Sequence, residues 1–293
     1  MFGANITPRL LDRVLNDVGD KSDQLPVMQH ALMRTWEEWK RDGETERLSD
    51  GGTERQSVDV RHYEAVGTLT EALSRDAEAA LESLSEENQK IAERMFQALT
   101  DTDARNRQIR RPAHLSEISG ITGADRETVE SIIEQFSGGG RSFLIATNEI
   151  NPLITISHES LIRQWKRMSD WVKTEADWCE RYKRLSHDAQ IYTESGRDDD
   201  LLKGSQLSLA LEWKEQRQPN YSWARRYHPN IDPKESNRLF DQAIKYLKKS
   251  ERAYKKAYQA EIEKNTRKRE RKEQKIVQIV RALKNLLILG TLI

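Results

Sequence analysis

The sequence predicts a mainly α fold: a helical domain and a winged helix, then a helical arm and a long charged C-terminal helix. Three observations predict it. Apolar residues recur at helical spacing through most of the 293 residues. Only two short β-rich runs, RSFLIAT and PLITIS, interrupt that pattern. From Lys234 to Lys284 the chain has neither glycine nor proline and is dense in Lys, Arg and Glu.

Residues 5–84 read as the helical domain. Leu10, Leu11, Val14, Leu15 and Val18 give a first helix before Gly19. Pro26 then opens a second, since a first turn loses nothing by lacking that N–H. Its apolar stripe is Met28, Leu32, Thr35, Trp36 and Trp39. Residues 43–60 are polar with a glycine pair and read as a loop, and a single helix is expected from Tyr63 to Leu84.

Residues 85–165 carry a more specific order. EENQKIAERMFQALT, AHLSEISG and ADRETVESIIEQF are three helices, the last with Val129, Ile132, Ile133 and Phe136 at i, i+3, i+4 and i+7. The turn Gly138–Gly140 leads into the two β runs, which NEIN joins as a hairpin. Three helices and a hairpin is the order of a winged helix. Residues 166–233 continue as a helical arm whose last part, with Pro219, Pro229 and Pro233, reads as a connector. Residues 234–293 form the long charged helix with an apolar end.

Composition removes several functions. Lys plus Arg and Asp plus Glu are both 48, so no global field draws the chain to nucleic acid or membrane. Cys179 is the single cysteine, which excludes a disulfide framework and multi-thiolate zinc, and fits a reducing, cytoplasmic setting. The N-terminal residues lack the pattern of a secretory signal. No glycine is followed by lysine, so the phosphate-cradling loop of an NTPase is absent from the chain, which is not expected to be an enzyme.

His158, in ISHESLIRQW, stands where an apolar run stops and a helical pattern begins. It could be a helix cap, a metal ligand, a catalytic base or a contact to a bound group. The metal reading needs a second histidine four residues on, and position 162 is Ile. No nucleophile elbow accompanies it either. DNA binding through the third helix is opposed by charge, because Asp125, Glu127, Glu130 and Glu134 face Arg126 alone. Arg105, Arg107, Arg110 and Arg111 remain as a basic cluster suited to an acidic partner or an anion. The run KNTRKRERKEQK, 264–275, has seven basic and two acidic residues and precedes IVQIVRALKNLLILGTLI. It reads as a charged coiled arm packing on a partner helix, or as a basic segment beside membrane-seeking residues.

Four stretches in order, LPVMQHALMRTWEEW, RHYEAVGTLTEALSRDAE, LITISHESLIRQWKRMSDWV and ESGRDDDLLKGSQLSLALEW, resemble the C-terminal part of the novel STAND NTPases. The resemblance spans roughly residues 5–250. It implies signal-transduction ATPases in which a P-loop domain is followed by a helical domain, a winged helix and an arm, then often by a WD-repeat propeller. It also implies two nucleotide contacts: Pro26 near the adenine, and His158 at the β-phosphate of ADP in the closed, inactive state. An imidazole beside phosphate gains an anionic partner, which favours its protonated form. The expectation is a non-catalytic regulatory portion that meets ADP or ATP only when a P-loop domain is supplied in cis or in trans. A WD-repeat or effector domain is a further implied partner. The alternatives are a winged-helix DNA-binding regulator and a membrane-associated helical scaffold using 264–293.

Overall fold

The computed structural model describes residues 5–19, 24–50, 57–103, 105 and 107–290, with backbone alone over 44–50 and 282–290. It is mainly helical with small antiparallel sheets, as the sequence predicts. Its contacts group into two compact units.

The first unit comprises residues 1–179 and 220–227. It opens with α1 (Pro8–Val18), capped by Thr7, whose hydroxyl accepts from the Leu10 amide and donates to Asp59. Asp59 in turn caps α3 (Val60–Ala65) in a reciprocal box with His62, so two helix starts share one hydrogen-bonded pair. Between them lies α2 (Leu25–Asp50). Here the expected 43–60 loop is corrected: the helix continues to Asp50, because the Glu, Arg and Leu that follow Gly43 are good helix formers despite their polarity. Val58 is buried and bridges to Ile6, while 51–56 lie outside the described residues. The buried face of α2 is also turned from the expected stripe. Val27, His30, Ala31, Thr35 and Trp39 are inside, and Met28, Leu32 and Trp36 are only partly covered.

The single helix expected over 63–84 is two, α3 and α4 (Thr68–Glu82). Gly67 breaks it at φ 94°, a backbone state that side chains resist. Helix α4 buries Leu69, Ala72, Leu73, Ala77, Ala80 and Leu81. Next come α5 (Glu86–Ala98), α6 (Leu115–Thr122) and α7 (Arg126–Ser137), the three helices the periodicity predicts. The hairpin β1 (Thr100–Thr102) and β2 (Gln108–Arg110) stands between α5 and α6, where the sequence reads as a basic cluster. Strands β3 (Ala113–His114), β4 (Leu144–Ala146) and β5 (Leu153–Ile156) pair in the order β3-β5-β4. The expected hairpin is β4–β5, with Leu144 opposite Ile156.

Helix α8 (Glu159–Gln164) follows, and Trp165, with ψ 100°, separates it from α9 (Lys166–Ser195). The Trp165 ring is 1% exposed and meets Phe96 edge-on at 5.3 Å and Trp171 at 5.2 Å. The proline-rich connector expected near 219–233 contains a short helix, α11 (Tyr221–Arg226), which belongs to this unit. The prolines flank it, and Asn220 caps it by accepting from the Trp223 amide. Trp223 is fully buried, and its indole N–H donates to Glu175 at 2.7 Å.

The second unit comprises residues 180–219 and 228–293. It contains α10 (Gly204–Arg217) and α12 (Pro233–Gly290). Tyr182 stacks on Trp213 at 6.0 Å, and Leu207, Leu239, Phe240, Ala243 and Leu247 are buried. Tyr246 donates to the Asp200 carbonyl, and Ser250 accepts from the Leu202 amide. Past residue 251, every described α12 side chain up to 281 is exposed. Among the described residues, no helix is long and apolar enough to cross a membrane.

Candidate functional site

His158 is the residue between β5 and α8, with extended backbone (φ −144°, ψ 141°). Its carbonyl accepts from the Leu161 amide, but its side chain makes no capping bond. The side chain is exposed. The capping explanation for this histidine therefore fails on geometry. Among the described residues there is also no group of three or more His, Cys, Asp or Glu side chains placed to hold a metal ion.

The backbone around His158 is fastened from both sides. Arg110, on β2, donates to the Ile156 carbonyl at 3.2 Å and the Ser157 carbonyl at 2.9 Å. The same guanidinium pairs with Glu159 at 2.6 Å. Burial alone would raise the Glu159 carboxyl, but the Arg110 hydrogen bond and charge outweigh it and hold the group below the usual carboxylate range. The Ser157 amide donates to the Phe143 carbonyl at 2.9 Å. One arginine thus clamps the residues on either side of His158 and leaves the ring outside the clamp.

That clamp corrects the reading of 105–111 as a basic cluster aimed at an anion or acidic partner. Arg107 pairs with Asp103 within the hairpin, Arg110 holds the β5–α8 junction, and Arg111 pairs with Glu117 and donates to the Ala98 carbonyl. The hairpin turns these side chains toward separate partners, and only Arg105, on its exposed turn, lacks an acidic one among the described residues.

Pro26 is the second residue of α2, half-buried in its first turn beside the fully buried Val27. Pro26 and His158 stand on different elements of the first unit. What the elements share is α4, which packs against both α2 and α8. Two carboxylates of α4 make those joints. Asp76, 9% exposed, pairs with Arg34 of α2 and with Arg141 of the α7–β4 turn at 3.0 Å, and His30 Nε2 lies 3.3 Å away. Burial alone would raise the Asp76 carboxyl. The His30 ring and the Arg34 and Arg141 guanidiniums outweigh it and hold the group below its ordinary range. Glu78 accepts from the Trp165 indole at 2.8 Å and pairs with Arg167.

Sequence reasoning missed these two carboxylates. A signal was present: Asp76 lies three residues after Leu73 and four before Ala80, on the apolar arc of α4, where an unpaired charge would be costly. A groove of about 430 Å³ opens beside Asp76 between α2 and α4. Arg34, Arg41 and Arg75 line it against Glu37, Glu38 and Asp76, so it offers no preference for phosphate.

The sequence matches the family model of novel STAND NTPase 1 over residues 1–200. The chain belongs to the novel STAND NTPase 1 family. The matched span contains both Pro26 and His158, the Arg110 clamp and the α4 joints. No curated protein and no solved structure matches the chain. Within this STAND chain, the β1–β2 and β4–β5 hairpins position His158, and α4 ties the α8 helix that follows it to the helix that Pro26 opens.

Proposed function

We propose that this chain is the regulatory portion of a STAND-type nucleotide switch, with no hydrolytic chemistry of its own. In this reading residues 85–165 act as a winged helix whose His158 meets the β-phosphate of ADP, while Pro26 lies near the adenine. The phosphates themselves are held by a P-loop domain, in cis or in trans, and an effector or WD-repeat domain carries the output.

The observation that carries the reading is the exposed His158 ring on a clamped backbone. Folding uses the residues on both sides of it and leaves the imidazole available as a donor to an anion. A switch requires a ligand contact made in one conformation and lost in the other, and a histidine that this chain presents to a P-loop domain supplies one. Membership of the family supports the same assignment. DNA binding has no comparable support, since Arg107, Arg110 and Arg111 are engaged within the chain and α7 is acidic.

The test is ADP binding, measured by calorimetry, with a P-loop domain joined to this chain. The chain alone binds ADP negligibly, the joined protein binds it, and His158→Ala weakens that binding. Unchanged ADP affinity in the His158→Ala protein refutes the assignment.

A further inference from the structure

The geometry points to the outer part of α12 as a docking surface for an anionic membrane, a property independent of the nucleotide reading. Residues 264–275 carry seven basic and two acidic side chains, a net charge of +5, and all are exposed. Immediately beyond them Ile276, Val277, Ile279 and Val280 are 49–60% exposed. The helix continues through 290.

A basic run followed directly by exposed apolar residues suits an anionic lipid surface, with the basic side chains at the headgroups and the Ile and Val side chains at the acyl boundary. Docking of this kind needs no membrane crossing, and among the described residues no helix is long and apolar enough for one. Charge selects the occupant. A second copy paired in parallel would set a +5 run against an identical +5 run, whereas an anionic leaflet is complementary to it. Nucleic acid would satisfy the basic run but gives nothing to the exposed Ile and Val residues beside it. A lipid surface uses both features at once.

The experiment is vesicle co-sedimentation of the full chain with phosphatidylcholine alone and with phosphatidylcholine plus phosphatidylserine. Binding is expected only to the anionic vesicles and weakens as salt is raised. K268E/R269E/R271E/K272E and, separately, I276S/V280S each lower the affinity by about tenfold or more. K268Q/R269Q/R271Q/K272Q replaces the first variant if circular dichroism shows that charge reversal unfolds the chain. Equal binding to neutral vesicles, no vesicle binding, or wild-type affinity in the charge variant overturns the proposal. So does a self-association that I276S/V280S abolishes without vesicle binding. Equal retention on duplex DNA that I276S/V280S leaves unchanged also overturns it.

Discussion

Replacing Asp76 by Asn should loosen the joint between α2, α4 and the α7–β4 turn, and the structure sets the size of the effect. The change keeps the shape of the side chain and removes its charge. Arg34 retains Glu37 as a partner, whereas Arg141 loses its ion pair and His30 loses the carboxylate 3.3 Å from its ring. Breaking a fully buried pair by removing one partner costs about 3–5 kcal/mol. Arg34 and Arg141 side chains are 16% and 21% exposed, so water recovers part of that loss. A cost of about 2–3 kcal/mol follows for the first unit, or a fall in Tm of about 4–12 °C at its size. Denaturant titration followed by tryptophan fluorescence and thermal melting measures it.

The pH dependence gives the sign independently. The Asp76 carboxyl is held below its ordinary range, so its stabilisation is present above the unfolded value of about 3.9 and is lost as pH falls through the lower folded value. Asp76→Asn should therefore flatten the acid limb of the stability profile below about pH 4. Arg141→Gln alone should cost less, since Asp76 keeps Arg34, and the double variant should fall short of the sum. Stability of Asp76→Asn within about 0.5 kcal/mol of wild type, with an unchanged acid limb, would refute the reasoning.

Three other outcomes follow from the same structure. Glu175→Gln removes the carboxylate that Trp223, Arg226 and Tyr227 approach, so amide exchange across 221–226 should accelerate; unchanged protection there contradicts the anchoring of α11. Burial and the Asp17 hydrogen bond push the Tyr63 hydroxyl up to about 12, and burial beside Glu175 raises Tyr227. Stability is then full below about pH 10 and declines as pH rises toward those folded values, which chemical denaturation at alkaline pH checks against Tyr63→Phe. Gly140→Ala should cost about 1–2 kcal/mol, because φ is +77° and the new Cβ would sit 2.6 Å from the Glu37 carboxylate; a neutral effect in denaturant titration contradicts that backbone state.

The helices with one continuous apolar face are legible in the sequence, as α5 and α7 show, and α12 is legible from a run without Gly or Pro that is dense in Lys, Arg and Glu. The errors have physical causes. The apolar spacing runs across Gly67, so periodicity alone does not reveal that the chain reverses its φ there. The end of α2 is polar and so reads as a loop, although its Glu, Arg and Leu residues favour a helix. The β1–β2 hairpin has little apolar content to announce it, so its arginines read as a patch although Arg107, Arg110 and Arg111 are each directed to a partner of their own.

The prolines around 219–233 read as a connector when only their number is considered. Their positions, before the Asn220 cap and after Arg226, mark the limits of a helix. His158 was legible as a junction residue from the change of period at Ile156. That its ring stays outside the fold was not, because the Arg110 clamp depends on a pairing 49 residues away in sequence.

The proposed switch turns on a contact between His158 and the β-phosphate of ADP. The most direct measurement is the histidine ring nitrogen spectrum of this chain joined to a P-loop domain, with ADP and then with AMP, using His158→Ala to assign the resonance. A His158 resonance that shifts with ADP and returns toward its free position with AMP is the predicted result. A resonance indifferent to ADP, or shifted equally by both nucleotides, would contradict the account.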